Sequence, residues 1–208
     1  MRIVDAFLDL LYPDVTCVAC DSEERDKKTL LCSSCEDKLS RRMARETLLE
    51  PVAVFCAYNY KDLLRTLVMD FKYNNKRYLQ KSLSQLLYTG YKESGFMADE
   101  IVPVPLFSKK EKKRGYNQSL LLAKGLSALC GIPCEERLTR LRDTRSQTEL
   151  SGEKRLSNVK GAFSSEEVSG KHILLIDDVI TTGATAGECA KELKRAKAAR
   201  VSVLTLCI

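Results

Sequence analysis

One segment indicates the fold class most directly: Leu174-Leu175-Ile176-Asp177-Asp178-Val179-Ile180-Thr181-Thr182-Gly183-Ala184-Thr185. It follows His172 as a near-continuous apolar run, which predicts a strand at 172–176 that is covered on both faces. A polar turn comes next, and residues 184–198 then have the composition of a helix. In an open parallel sheet, ligands bind beyond the carboxyl ends of the strands. We therefore expect the two aspartates to lie at a binding site.

The polar turn has the groups that a phosphate needs. It offers threonine hydroxyls, a glycine that permits close backbone approach, and the free N–H groups of a helix N-terminus. The predicted phosphate-binding residues are Thr181, Thr182, Gly183, Ala184 and Thr185. Asp177 and Asp178 would repel phosphate, but they suit sugar hydroxyls or a hydrated Mg²⁺. A strand end with an ordinary N-cap explains an isolated Asp-Asp, whereas the whole string predicts a ribose 5-phosphate site.

The apolar patterns on either side of this segment predict an α/β protein. Four segments have the composition of strands, at 52–60, 101–106, 172–176 and 201–206. Apolar residues at helical spacing predict helices at 63–71, 79–87, 120–129 and 184–198. This alternation predicts a parallel sheet flanked by helices at 49–208. Residues 1–48 are predicted to form a separate N-terminal module, with a short packing helix at 1–12 and a cysteine-rich segment after it.

The cysteine-rich segment has the spacing of a metal site. Cys17-x2-Cys20 and Cys32-x2-Cys35 form two pairs separated by eleven residues. Each pair can direct two sulfurs at one ion, so the four residues predict a closed, structural Zn²⁺ site. The spacer is shorter than is usual for this pattern. A redox C-x-x-C is the alternative, but two facing pairs favour the metal.

Composition limits the cellular setting. The chain has 208 residues and nine cysteines, an odd number that argues against a disulfide framework. No apolar run approaches the roughly 20 residues that a membrane span requires, and acidic residues interrupt the apolar N-terminus. We predict a cytoplasmic protein without a membrane span.

Positive charge is concentrated in two places, although the net charge is only +6. A predicted basic loop contains Lys109, Lys110, Lys112, Lys113 and Arg114, and a second group contains Arg137, Arg140, Arg142 and Arg145. Such runs are usually solvated surface, but they also suit a polyanion. Arg114 and Arg145 can each hold two phosphate oxygens at once. Asn117 either orients a ligand or caps the helix that follows it.

The motif at 174–185 resembles the phosphoribosyl-diphosphate motif of type I phosphoribosyltransferases. Further motifs are similar to those of the ComF family: Pro103-Val-Pro, Phe71-Lys72-Tyr73, Arg114-Gly-Tyr-Asn-Gln118, Arg145-Ser-Gln147 and Gly161-Ala-Phe163. The resemblance covers nearly the whole chain. It implies that Asp177 and Asp178 bind ribose hydroxyls and carry any catalysis, and that Thr181–Thr185 bind the 5-phosphate.

The same resemblance implies a second set of contacts and a cellular role. Pyrophosphate or nucleic-acid backbone is expected at Ser108, Lys109, Lys113, Arg114 and Arg145, with Mg²⁺ accompanying phosphoribosyl diphosphate. Some ComF-family proteins help single-stranded DNA to enter the cytoplasm during natural competence. A competence helicase or other DNA-processing proteins are therefore expected partners.

Three functions remain open from the sequence. The first is a protein that grips single-stranded DNA, with Tyr73 and Tyr116 stacking on bases. The second is a Mg²⁺-dependent phosphoribosyltransferase whose acceptor is not indicated, and the third is a phosphoribosyl-diphosphate sensor. Glutamine-dependent amide transfer is not expected, because residue 2 is Arg2 and not the nucleophilic cysteine of amidophosphoribosyltransferases.

Overall fold

The computed structural model of the protein describes residues 16–46, 49, 52–143 and 159–208. Its strands are β1 (Arg41–Glu46), β2 (Ala53–Tyr58), β3 (Glu100–Pro103), β4 (Leu138–Arg140), β5 (Phe163–Ser165), β6 (His172–Val179) and β7 (Arg200–Cys207). One sheet has the order β1-β2-β7-β6-β3, and β4 pairs with β5 separately. All pairs in the larger sheet are parallel except β1 with β2. The predicted parallel sheet is confirmed, with an antiparallel edge strand that the sequence did not predict.

Helices cover both faces of this sheet. They are α1 (Ser33–Asp37), α2 (Asp62–Tyr73), α3 (Gln80–Ser94), α4 (Ser108–Arg114), α5 (Gln118–Cys130) and α6 (Ala184–Arg195). Residues of β6 alternate between two apolar clusters, Leu174 and Ile176 in one and Ile173 and Leu175 in the other. The continuous apolar run in the sequence reflects this double coverage. Over the described part of the chain, none of the helices combines the length and the apolar character needed to cross a bilayer.

Two helices approach each other closely through small side chains. A Cβ placed on Gly125 of α5 would lie 2.1 Å from Oγ of Ser84 in α3. A Cβ on Gly90 of α3 would lie 2.5 Å from the Cβ of Ala57 in β2. These glycines therefore allow α3 to pack closely against both α5 and the sheet.

The prediction of a basic loop is wrong for residues 108–114, because they form helix α4. Phe107 precedes the helix in extended conformation, and Gly115 ends it at a φ of 88°. Glycine adopts this left-handed conformation without the penalty of a Cβ. Lysine and glutamate are good helix formers, but no residue of α4 is buried. Without an apolar face, the segment gave no helical period in the sequence.

The cysteine-rich segment packs directly on the main body. Cys17, Leu31 and Cys35 belong to the same apolar cluster as buried residues of α2 and α3. Oγ of Ser82 in α3 donates a hydrogen bond to the carbonyl oxygen of Thr29. β1 also pairs with β2 of the main sheet. The division into domains at 1–48 and 49–208 stays a prediction, and the predicted helix at 1–12 lies outside the described residues.

Candidate functional site

The two aspartates lie on the last residues of β6, at the carboxyl end of the parallel strands. β6 continues through both of them to Val179, beyond the strand end that the sequence predicted. Oδ1 of Asp177 accepts hydrogen bonds from Oγ of Ser119 at 3.0 Å and from the backbone N–H of Asp178 at 2.9 Å. Ser119 lies in the first turn of α5. Helix α5 therefore helps to orient Asp177 on β6.

A lysine that the sequence analysis did not assign to the site neutralises the second aspartate. Nζ of Lys72, in the last turn of α2, lies 2.5 Å from Oδ2 of Asp178. Burial opposes the charge of Lys72, but Asp178 and then Asp177 outweigh it and raise the lysine pKa. Lys72 was visible in the sequence only within the Phe71-Lys72-Tyr73 motif. Its ion pair with Asp178 depends on how α2 packs against the sheet, which that motif does not indicate.

Asp177 differs electrostatically from an ordinary surface carboxylate. Burial, followed by repulsion from Asp178, raises the pKa of Asp177 to about 7. Lys72 and the Ser119 hydroxyl partly offset this effect. Asp177 therefore keeps its proton to a higher pH than a surface aspartate does, and it can accept a hydrogen bond from a ligand hydroxyl or, when protonated, donate one.

The acid pair opens into a cavity of about 770 Å³. Asp177, Asp178 and Thr185 line it, together with six cationic side chains from three regions of the chain: Lys72, Lys110, Lys112, Lys113, Arg114 and Arg140. Lys113 and Arg114, which are predicted to bind pyrophosphate or nucleic-acid backbone, are among these lining residues. Ser108 borders a smaller groove beside the cavity, and Lys109 is exposed on α4. Arg145 lies outside the described residues.

The turn between β6 and α6 has the geometry of a helix N-terminus next to this cavity. Gly183 is the N-cap of α6 with a φ of 74°, a conformation that favours glycine. The backbone N–H of Ala184 lies 3.5 Å from Oγ1 of Thr182. Thr185, in the first turn of α6, lines the cavity, whereas Thr181 is exposed at the surface.

The rim of the cavity contains an aromatic–guanidinium pair. The guanidinium carbon of Arg114 lies 5.1 Å from the ring centroid of Tyr73, within the range of a cation–π contact. Arg114 also donates a hydrogen bond to Oε1 of Gln118. Tyr73 is 63% exposed. The stacking prediction for Tyr116 is wrong, because its ring is buried and its hydroxyl donates to the carbonyl oxygen of Phe71.

The structure assigns separate surroundings to the arginines of the second basic group. Arg140 lines the cavity, with its guanidinium 5.3 Å from the ring of Phe163. Arg137 binds Glu100 at the start of β3 instead, through Nε at 2.8 Å. Arg142 donates to the carbonyl oxygen of Lys160. The sequence did not distinguish Arg140 from its neighbours, because all of these arginines occur in the same polar segment.

Of the two roles considered for Asn117, ligand orientation and helix capping, the structure shows helix capping. Its Oδ1 accepts hydrogen bonds from the N–H groups of Ser119 at 3.0 Å and Leu120 at 3.4 Å, which caps α5. Its Nδ2 donates to the carbonyl oxygen of Val104. The cap therefore ties the start of α5 to the segment after β3.

The four predicted zinc ligands form one cluster. The Sγ atoms of Cys17, Cys20, Cys32 and Cys35 all lie within 4.8 Å of one another. Four sulfurs at the usual Zn–S distance of about 2.3 Å are about 3.8 Å apart, and Sγ of Cys20 lies 3.6 Å from Sγ of Cys32. Burial opposes ionisation of Cys17, but backbone N–H groups, led by that of Cys32, lower its pKa to about 7. The donor set fits a structural zinc ion.

A parallel sheet with an acid pair and a threonine–glycine turn at its carboxyl end defines a phosphoribosyltransferase-type fold. The family profile described as "Phosphoribosyl transferase domain" matches residues 116–207, which contain α5, β6, α6 and β7. A structure titled "Structure of the allosteric regulatory enzyme of purine biosynthesis" matches 61% of this chain and 26% of that one, at 25% identity and a TM-score of 0.44.

Curated relatives specify the family. "DNA utilization protein YhgH" of Salmonella typhi is 37% identical over 156 residues, which are 72% of this chain and 69% of that protein. "Competence protein ComFC" of Bacillus subtilis is 31% identical over 156 residues, 72% of this chain and 61% of that protein. The chain belongs to the ComF family of competence-associated, phosphoribosyltransferase-like proteins, as the sequence motifs predicted.

Proposed function

We propose that this protein binds the sugar phosphate of phosphoribosyl diphosphate or of single-stranded DNA in the cavity at the end of β6. The observation that carries the proposal is the convergence of three groups on one cavity: the acid pair, Thr185 of the turn, and six cationic side chains. A volume of about 770 Å³ is within the usual range for ligand sites. It is large enough for a pentose with more than one phosphate group.

Each part of the cavity suits a different part of such a ligand. The N-terminus of α6 and the hydroxyl of Thr185 hold the 5-phosphate, because free N–H groups at a helix N-terminus attract anions. Asp177 accepts hydrogen bonds from the ribose hydroxyls. Lys113 and Arg114 face the cavity from α4 and hold a pyrophosphate or the next backbone phosphate.

Handling of single-stranded DNA is the function that we favour. The named relatives are a DNA utilization protein and a competence protein. α4 carries lysines both on the cavity wall and on its exposed face, so the positive surface continues outward from the site. Tyr73 stands exposed at the rim, where a base can stack on it. In this role the protein works in the cytoplasm beside a competence helicase or other DNA-processing proteins.

A phosphoribosyltransferase is the second candidate, and the environment of Asp177 supports it. A carboxyl group with a pKa near 7 can exchange a proton with a reacting group at neutral pH. When bound with phosphoribosyl diphosphate, Mg²⁺ would neutralise charge on the leaving pyrophosphate. Lys113, Arg114 and Arg140 would hold the same oxygens, whereas a sensor would use this binding without a chemical step.

The first experiment measures fluorescence anisotropy of a labelled single-stranded oligonucleotide at stated salt concentrations. Phosphoribosyl diphosphate with Mg²⁺ should displace the oligonucleotide if both occupy the cavity. The R114A variant should weaken binding and make the slope of log affinity against log salt shallower by about 0.7. R195A removes an exposed arginine of α6 that pairs with Glu192 and serves as the control. Oligonucleotide binding that R114A leaves unchanged would contradict the DNA proposal.

A second experiment separates sugar-phosphate binding from DNA binding. Calorimetry with phosphoribosyl diphosphate and Mg²⁺ should show no binding to the D177N/D178N double variant. The matched control is E166Q/E167Q, an adjacent acid pair whose side chains are 68% and 63% exposed. Equal binding by D177N/D178N and the wild type would contradict the proposed site, whatever the result of the DNA experiment.

We further propose that the four-cysteine cluster holds one structural Zn²⁺. A closed set of four thiolates leaves no coordination position for a substrate. Metal analysis should find one zinc ion per chain in the wild type and in C130S, whose cysteine lies outside the cluster. C35S should lose zinc and unfold more easily, because metal binding contributes folding free energy. Full zinc content in C35S would exclude this assignment.

A further inference from the structure

The ion pair between Lys72 and Asp178 is largely withdrawn from water. The lysine side chain is 16% exposed and the aspartate side chain 4%. Attraction between opposite charges is much stronger in such surroundings than at the surface. The loss of one partner would leave the other charge buried without compensation. The pair is therefore a persistent part of the site.

This ion pair restricts the positions at which a divalent cation can bind to the two aspartates. Mg²⁺ usually keeps several waters, and where it contacts a carboxylate directly it lies about 2.0–2.1 Å from the oxygen in octahedral geometry. Nζ of Lys72 already lies 2.5 Å from Oδ2 of Asp178, so a metal ion can take that oxygen only after Lys72 has left. Asp177 lines the cavity with one oxygen held by Ser119. The donor types fit Mg²⁺, but the approach to Asp178 is occupied by a cation of the protein itself.

We propose that Lys72 is the resident cation of this site: its ammonium group replaces a divalent metal ion at Asp178, and a pentose 5-phosphate binds beside Asp177 without Mg²⁺. This inference rests on the proposed sugar-phosphate site. A pyrophosphate-bearing ligand still needs Mg²⁺, because the charge of Lys72 is already paired with Asp178 and does not compensate adjacent phosphates. Lys72 acts as a positioning residue that sets the charge of the acid pair.

The wild-type protein tests this directly by calorimetry with ribose 5-phosphate, with and without Mg²⁺, and with phosphoribosyl diphosphate in the same buffers. We expect the affinity for ribose 5-phosphate to be the same in both buffers. Binding of ribose 5-phosphate only with Mg²⁺ would overturn the inference and leave the proposed site intact. If neither ligand binds in either buffer, the proposed site is wrong and the inference falls with it.

A metal titration tests the role of Lys72 without any sugar phosphate. Mn²⁺, used as a spectroscopic substitute for Mg²⁺, should bind the K72M variant at least about tenfold more tightly than the wild type, since a neighbouring cation commonly shifts such equilibria by this factor or more. The control is K76M, which removes a 43% exposed lysine from a similar pair with Asp70. Equal Mn²⁺ affinity of K72M and the wild type would overturn the inference. The wild-type calorimetry needs no variant and stays decisive if K72M does not fold.

Discussion

Glu100 and Asp178 are both buried carboxylates of the parallel sheet, 2% and 3% exposed, but they lie at opposite ends of it. Glu100 begins β3 and is in register with Ile173 near the start of β6, whereas Asp178 is next to the last residue of β6. Arg137 binds both oxygens of Glu100, at 2.8 and 3.3 Å, and Lys171 adds a contact. Asp178 has the Lys72 ion pair and a second carboxylate beside it.

The surroundings of the two carboxylates indicate different roles for the two ends of the sheet. Burial opposes ionisation of Glu100, but hydrogen bonds from Arg137 and Lys171 outweigh it and lower its pKa. The acid pair at the other end keeps one carboxyl, Asp177, at a pKa of about 7. A carboxylate saturated with cations stabilises the fold, whereas a partly compensated pair beside a cavity is available to a ligand. Ligand sites at the carboxyl ends of parallel strands follow the same division.

Among changes to Glu100 and its partners, the largest effect on stability is expected from E100Q. This change keeps the shape of the side chain but removes the charge that Arg137 and Lys171 bind. Charge-assisted hydrogen bonds are worth about 1.5–3 kcal/mol each, and both cations are partly exposed, at 28% and 41%. We expect the free energy of unfolding to fall by about 2–4 kcal/mol at neutral pH, measured by urea denaturation with circular dichroism.

The acid range and ligand binding supply the controls for E100Q. Because the pKa of Glu100 is lowered from 4.5, its contribution is present above that value and is lost as the pH falls through the lowered pKa. The difference between wild type and variant should therefore shrink in acid. Folded E100Q should bind ribose 5-phosphate as the wild type does. A variant of normal stability with weakened binding would reverse the division between the two ends of the sheet.

D177N should change the free energy of unfolding with a pH dependence opposite to that of E100Q. The pKa of Asp177 is raised from 3.8 to about 7, so the native state holds a proton that the unfolded chain releases. Its contribution to stability is complete below the unfolded pKa and is lost as the pH rises to about 7. Between about pH 5 and pH 8, the wild type should lose about 1–3 kcal/mol more stability than D177N.

E166Q/E167Q is the control that distinguishes this pH effect of Asp177 from the effect of removing exposed carboxylates. Urea denaturation at each pH would give the two stability profiles, with the surface variant following the wild type throughout. Parallel profiles for D177N and the wild type would mean that neither burial nor Asp178 raises the pKa of Asp177, and the contrast with Glu100 would lose its electrostatic basis.

The local part of this site could be predicted from sequence, and the part made by distant residues could not. An apolar run followed by two acids and a threonine–glycine turn is contiguous, so residues 174–185 indicated both a strand and its ligand end. Lys72 meets Asp178 only because α2 packs against the sheet, and no sequence spacing records that contact. Arg137 and Arg140 belong to one basic group in the sequence, yet β4 carries Arg140 to the cavity while Arg137 binds Glu100.

The smallest effect is expected from K171M, which removes one of the two cations around Glu100. Lys171 is 41% exposed, so water already screens its charge, and Arg137 still binds both oxygens of Glu100. We expect the free energy of unfolding to fall by about 0.5–1 kcal/mol in urea denaturation, as for a partly exposed pair. At the other end of the sheet, Lys72 is the one cation paired with Asp178 among the residues that the structure describes, so K72M should cost several times more. Equal losses in K171M and K72M would show that Glu100 depends on its lysine as strongly as Asp178 does, and saturation by two cations could then no longer explain the difference between the two ends.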